Sequence, residues 1–283
     1  MPSETVTVTS LLRYPLKSGQ AEPLDEATVD PWGLAGDRRW MVVDEHGVML
    51  TGRQVPAMVL LRARLDGGGL VLSVPGRVPL RVPAPTGPER VEADVFGSRF
   101  PAAPVADGLD WLGDVLGRPA RLLHLADPTV RVADPGYARP GDVVSLADGF
   151  PLMLTAEESL AELDAWVAAG PRPAEGPLGM GRFRPNLVVA GAPAWAEDRW
   201  RRVRISGVTF RVVKSCGRCA FTLVDPQSGA RGKEPLLSLA RHRRHDGKAW
   251  FGVNLIPDLP SGVLHVGDPV EVLEAVDDPS PQR

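Results

Sequence analysis

Two cysteines stand three residues apart in Lys214-Ser215-Cys216-Gly217-Arg218-Cys219, and they are the only cysteines in the chain. A thiol flanked by Lys214 and Arg218 should ionise more readily than a free one, and so be a better nucleophile and metal ligand. On these residues alone four readings stay open. A dithiol couple of the thioredoxin type wants a strand-to-helix junction, whereas Phe221-Thr222-Leu223-Val224 reads as further β structure. A zinc site would recruit His242 and His245, but the long gap and the two-residue histidine spacing both miss the finger pattern. A single thiolate on a metal or cofactor is the third reading. Two inert, packed cysteines are the fourth.

Three further segments carry charge beside backbone turns. Tyr14-Pro15-Leu16-Lys17-Ser18-Gly19 puts a lysine, a hydroxyl and a glycine together, a trio that can cradle a phosphate but lacks the Walker spacing. Gly33-Leu34-Ala35-Gly36-Asp37-Arg38-Arg39-Trp40 runs from a glycine turn into a strand, where alternation sends one arginine inward and its neighbour outward. Arg182-Phe183-Arg184-Pro185-Asn186 places Arg184 and Asn186 on one face. Each has a plain alternative: a solvated turn lysine, an Asp37–arginine pair at a strand edge, a surface arginine pair. His46, His124 and His265 stand singly and read as ordinary core or surface histidines. The chain has no Gly-x-Ser-x-Gly elbow, dinucleotide fingerprint or His-Glu-x-x-His, which weakens hydrolase, nicotinamide-dehydrogenase and zinc-protease readings.

The elements that must hold these residues are short. Gly and Pro number 30 and 29 of 283 residues and cut the chain into brief runs. Thr5–Thr9, Arg39–Val43, Met58–Leu65, Leu70–Val74, Leu80–Val82, Leu187–Ala190 and Val208–Val213 read as strands. Helices are expected over Leu109–Leu116, from Thr155 with Glu158 completing a capping box, and after Pro235. Ala126–Val143, with Arg131 and Arg139, reads as a long loop without an element of its own, placed to shape a substrate mouth. The pattern is mainly β with a few helices, of barrel type.

At 30.3 kDa there is room for one large or two modest domains. Ordinary composition, 43% hydrophobic and 24% charged, excludes collagen, bulk disorder and disulfide scaffolds. A net charge of -3 denies the chain the bulk basicity of a nucleic-acid binder. Two cysteines suit a reducing compartment, and neither a secretory leader nor a membrane-length apolar run is evident, so a cytoplasmic protein is expected.

Taken in order, Tyr-Pro-Leu-Lys-Ser, Gly-Asp-Arg-Arg-Trp with Thr51-Gly52-Arg53-Gln54, Arg-Phe-Arg-Pro-Asn, and Cys-Gly-Arg-Cys with Val224-Asp225-Pro226-Gln227-Ser228-Gly229 resemble the MOSC-domain proteins. The branch is similar to the mitochondrial amidoxime-reducing component and its bacterial YcbX-like relatives. Lys233-Glu234-Pro235-Leu236 and Val266-Gly267-Asp268-Pro269-Val270 extend the match. The resemblance implies an N-terminal β-barrel-like domain (residues 1–115) packed on a MOSC β-barrel domain (116–276), with a disordered tail at 277–283. It also implies a molybdenum cofactor, a pterin with a dithiolene and a phosphate (Mo-molybdopterin). Cys219 would be the catalytic thiolate on the metal. Lys17, Ser18, Arg38, Arg184 and Asn186 would hold pterin and phosphate, and backbone at Gly149, Phe150 and Gly217 would line the site. Gly149, Phe150 and Gly217 stand where relatives often carry hydroxyls, and the iron–sulfur domain common in YcbX-like chains has no cysteines to build it here.

The reaction implied is reduction of N-hydroxylated compounds (amidoximes, hydroxylamines, N-hydroxylated bases) to amines, with electrons from a separate iron–sulfur or flavin reductase and with no nucleic-acid or membrane partner. Two other readings compete. One is a carrier that delivers the cofactor, or sulfur as a persulfide on Cys219, without turnover of its own. The other is a small zinc module built from Cys216, Cys219, His242 and His245.

Overall fold

The computed structural model describes residues 5–258 and 261–277; the tail expected from residue 277 lies, but for Asp277, outside them. The protein is mainly β. Alternation builds Val208–Arg218, one of its two longest described strands, where Val208, Phe210 and Val212 turn inward while Thr209 and Arg211 do not. That strand lies third in the main sheet, whose order is Val270–Ala275, Trp200–Ile205, Val208–Arg218, Lys248–Asp258, Leu152–Ala156, Leu187–Ala190, Thr7–Arg13, Glu22–Leu24. The sheet curls until the start of Thr7–Arg13 meets the segment leading into Val270–Ala275: Val8 N–H donates to the Asp268 carbonyl at 2.9 Å and Val270 N–H to the Val6 carbonyl at 2.8 Å. Closure removes open edges, and its interior fills with Val8, Leu11, Leu154, Phe210 and Leu255.

Leu152–Ala156 and Leu187–Ala190 pair in parallel, so a crossover must join them, and helix Glu157–Ala168 supplies it. The expected capping box is replaced here. Thr155 is the fourth residue of a fully buried strand, its hydroxyl contacting the Met180 sulfur at 3.1 Å, and Glu158 instead accepts from Gly191 N–H at 2.7 Å. Strand pairing on both sides outweighs the local cap. Helix Leu109–Leu116 forms as expected between Gly108 and Gly117, both left-handed, and Leu236–His242 follows Pro235. None of the described helices is long and apolar enough to cross a membrane.

Three small sheets complete the fold. Trp40–Val43, Arg121–His124, Ser98–Pro104 and Val91–Val95 form one; Arg62–Asp66, Gly69–Ser73 and Leu80–Val82 another; Gly262–His265, Glu26–Asp30 and Gly33–Leu34 the third. The Met58–Leu65 run is split, because Pro56 opens a 3₁₀ turn over Pro56–Leu60 before the strand Arg62–Asp66 begins. The Phe221–Val224 stretch is likewise a 3₁₀ turn, Ala220–Leu223, and the Ala126–Val143 loop contains a short one at Pro128–Val130.

Residues up to Leu34 pack mostly with the closed sheet, through Val8, Leu11, Ala27, Val29 and Leu34. A second core gathers Leu16, Trp40, Leu61, Leu112 and Leu122. The chain therefore passes from one core to the other and back between Tyr14 and Trp40. Lys17, Ser18 and Arg38 sit at that crossing.

Candidate functional site

One cleft at this junction holds every site residue that the family resemblance implies: Lys17, Ser18, Arg38, Gly149, Phe150, Arg184, Asn186, Gly217 and Cys219 all line it. They come from segments far apart in the chain, and the backbone is bent to deliver them. Ser18, Arg38 and Arg184 have φ of 68°, 46° and 60°, three of the seven described non-glycine residues in the left-handed region. Such conformations persist where the surroundings enforce them, commonly at ligand sites.

The cleft is strongly cationic. Lys17, Arg38, Arg53, Arg184 and Arg218 line it against a single carboxylate, Asp148. Lys17 Nζ, in a buried residue, donates to the Leu146 carbonyl at 2.8 Å and to Asp148 at 2.5 Å. Burial pulls its pKa down, and Asp148 opposes the fall. Desolvation pushes the Asp148 pKa up, but Lys17, Arg53 and Arg38 together hold it well below the usual carboxylate range. Arg53 reaches the other oxygen of Asp148 at 3.1 Å.

Arg38 and Arg184 both pack on the Tyr14 ring, at 4.5 and 4.2 Å from its centroid. Arg38 donates to Asp37 at 2.6 Å and to Asn186 Oδ1 at 3.0 Å, and although burial lowers its pKa, Asp37 more than restores it. Among the described residues no carboxylate pairs with Arg184. It donates to the Gly19 carbonyl, and burial together with Arg38 brings its pKa down to about 10. Asn186 is engaged inside the protein, accepting from Arg38 and from Met153 N–H at 3.3 Å and donating to the Leu12 carbonyl at 3.1 Å. Its side chain thus positions Arg38.

The two cysteines part company. Cys219 is exposed and opens the turn Ala220–Leu223; the Thr222 N–H and hydroxyl donate to its carbonyl at 3.0 and 2.9 Å, which fixes the backbone beneath the thiol. Cys216 is half-buried, with Arg218 on its sulfur at 2.8 Å and also on the Met153 sulfur at 3.2 Å and the Phe183 carbonyl at 2.8 Å. Lys214 turns away from both thiols, lying 4.1 Å from the Tyr137 ring centroid and 3.7 Å from Asp134. Gly217 sits at a register shift between Val208–Arg218 and Lys248–Asp258, where a Cβ would meet the Lys248 stem at 3.2 Å.

Several expectations are corrected. Arg182 is buried rather than a surface residue, bonding the Thr222 carbonyl at 3.1 Å and Asp225 at 2.8 Å, so it braces the turn that Cys219 opens. Arg131 does not face the mouth. It is buried with its guanidinium on the Ser145 and Ala147 carbonyls, under the loop that carries Asp148. Arg139 lies instead in a separate pocket with Arg202, Arg211 and Asp258. The zinc set is not assembled: His242 stacks on Trp166 at 4.4 Å, and no group of three His, Cys, Asp or Glu residues among those described is arranged to hold a metal. The sequence reading passed over Asp148, whose only signal is its place beside Gly149-Phe150, gave Arg53 no role, and gave Arg218 only that of a charge beside the thiols.

Residues 5–119 match the MOSC N-terminal beta barrel domain, and residues 141–271 match the MOSC domain. The mitochondrial amidoxime-reducing component 1 of Danio rerio is 35% identical over 93% of this chain and 83% of its own length; that of Xenopus laevis is 33% identical over 93% and 81%. The chain is a MOSC-domain protein. A more distant member of this family, the molybdenum cofactor sulfurase of Oryza sativa subsp. japonica, is 29% identical over 87% of this chain but only 32% of its own length. The cleft of this MOSC protein therefore lies where its two matched segments meet, with Lys17 and Arg38 from the first and Asp148, Arg184 and Cys219 from the second.

Proposed function

We propose that this MOSC protein holds a molybdenum pterin cofactor in the cleft and reduces N-hydroxylated compounds to amines, using electrons from a separate protein. The observation that carries the reading is the charge imbalance: five cations against two carboxylates, Asp148 and the Asp37 that pairs with Arg38, with a free, exposed thiol at the same cleft. A polyanionic pterin phosphate neutralises such a surplus, and a soft metal favours thiolate, so the donor set fits the group.

When bound, the cofactor supplies two-electron oxygen-atom chemistry at its metal. The chain does the rest. Lys17, Ser18 and Arg184, with Arg38 oriented by Asn186 and Asp37, would hold the cofactor's anionic end. Cys219 offers its sulfur from a turn braced by Thr222 and Arg182. Phe150, Phe183 and Phe221 wall the cleft and limit water. The net reaction, R–NHOH + 2 e⁻ + 2 H⁺ → R–NH₂ + H₂O, requires an outside electron source.

Elemental analysis of protein from cofactor-producing cells tests this. Near-stoichiometric molybdenum in wild type and Cys216→Ala, lost in Cys219→Ala, is the expected result, together with benzamidoxime turnover by an artificial reductant. Zinc lost in both variants would overturn it. Molybdenum without turnover would favour the carrier reading, which the sulfurase relatives keep alive.

A further inference from the structure

The segment Arg241-His242-Arg243-Arg244-His245-Asp246-Gly247-Lys248 ends helix Leu236–His242 and forms the short hairpin Arg244–His245 with Lys248–Asp258. Arg241, His242, Arg244, His245 and Lys248 are all exposed. Among the described residues none of the five has a carboxylate partner, whereas Arg243 is spent on the buried Asp198. One carboxylate, Asp246, sits at the hairpin tip. A dense cationic patch on a chain of net charge -3 is a local feature with a local purpose.

Its position relative to the cleft gives that purpose. Ala249 pairs with Arg244 on one side and with Arg218 on the other, and Trp250 pairs with Gly217, so the patch adjoins the strand that leads to Cys219. A row of rings also runs inward from it. His242 stacks on Trp166 at 4.4 Å, Trp166 on Trp195 at 5.2 Å, Trp195 meets Phe251 edge-on at 5.8 Å, and Phe251 stacks on Phe183 at 4.0 Å. Phe183 lines the cleft. A contiguous row of aromatic contacts thus joins the exposed patch to the site.

We propose that the Arg241–Lys248 face is the docking surface for an acidic iron–sulfur protein that supplies the electrons. This rests on the reductase reading of the cleft. Carboxylates around the partner's redox centre meet Arg241, Arg244 and Lys248, which steers encounter and sets the centre beside the aromatic row. Each amine formed takes two electrons, delivered as two single-electron transfers from the reduced iron–sulfur centre, which is oxidised each time; the two protons come from water. A nucleic acid is the weaker occupant, because the patch is short, carries Asp246 at its tip and points through the rings to the cleft.

The test compares wild type with Arg241→Glu/Arg244→Glu and, as a control of equal charge change, Arg62→Glu/Arg64→Glu on the exposed face of strand Arg62–Asp66. Turnover of benzamidoxime is driven either by a reduced, acidic plant-type ferredoxin or by reduced methyl viologen, which needs no docking. Charge reversal at the patch should raise the KM for ferredoxin by roughly tenfold or more at about 50 mM salt, with viologen-driven turnover and the control unchanged. Equal ferredoxin kinetics in all three proteins, or an equal loss in the control, would overturn the docking site. If wild type fails with viologen, the reductase reading falls, and ferredoxin binding by calorimetry then decides the surface alone. Binding lost only in Arg241→Glu/Arg244→Glu sustains it, while absent binding, or displacement by a single-stranded RNA 12-mer at equal concentration, removes it.

Discussion

Strand Val208–Arg218 carries two arginine clusters of opposite character. Towards its start, Arg211 bonds Asp142 at 2.6 Å and Asp258 at 2.7 Å, and Arg139 and Arg202 lie 3.7 and 3.4 Å from the same Asp258. There the charges answer one another, and Arg211, though burial lowers its pKa, ends above its ordinary value because of the two carboxylates. At the strand's other end five cations line the cleft with Asp148, and Asp37, behind Arg38, is among the described residues the one further carboxylate that pairs with any of them. Burying unpaired cations is unfavourable, so a fold that needed only stability would not keep them. The surplus is what the proposed anionic cofactor would neutralise, and it distinguishes the cleft in a way that a count of arginines does not.

The same substitution should therefore act with opposite signs at the two clusters. Arg184→Met removes a guanidinium that burial and Arg38 already disfavour. We expect it to cut molybdenum content tenfold or more while raising the stability of the cofactor-free protein by about 1–2 kcal/mol. Arg211→Met strands Asp142, leaves Asp258 only the longer contacts of Arg139 and Arg202, and should cost about 2–4 kcal/mol in urea unfolding with metal content unchanged. If Arg184→Met destabilises the empty protein as much as Arg211→Met, the two clusters are alike and the charge surplus is illusory.

The difference between the clusters was only partly legible in the sequence. Lys17, Arg38 and Arg184 could be picked out because each lies in a short motif next to a turn, and turn chemistry is local. Asp148 could not, since its meeting with Lys17 spans 131 residues and follows from how the two cores abut. Arg131 misled for the same reason: nothing nearby in the chain says that its guanidinium is sealed under Ser145 and Ala147. The barrel class was readable from alternation and Gly/Pro punctuation. Thr155 was misassigned because strand pairing with Val188 overrode a sound capping pattern. Asn186 was found for its type and place, yet its bonds turn it inward to position Arg38.

The opposite imbalance, acid in excess, lies behind the aromatic row. Glu197 and Asp198 are both buried, and Arg243 pairs only with Asp198. Glu197 accepts from the Ser159 hydroxyl at 2.9 Å, and its other oxygen has no partner. Burial, and then Asp198, push its pKa from 4.5 to about 7. A carboxyl that holds its proton more tightly in the folded state stabilises the protein fully below its unfolded pKa and loses that contribution as pH rises through the folded one. Stability should therefore fall between about pH 4.5 and 7 and stay low above it. Glu197→Gln keeps the shape and the Ser159 bond without the proton, so its stability should be flat over that window. By pH 8 the variant should gain on wild type by an amount on the order of 2–3 kcal/mol, read by urea unfolding at pH 5, 6, 7 and 8. Parallel curves would mean that Glu197 is already compensated, as Arg211 is, and that only the cleft holds an unbalanced charge.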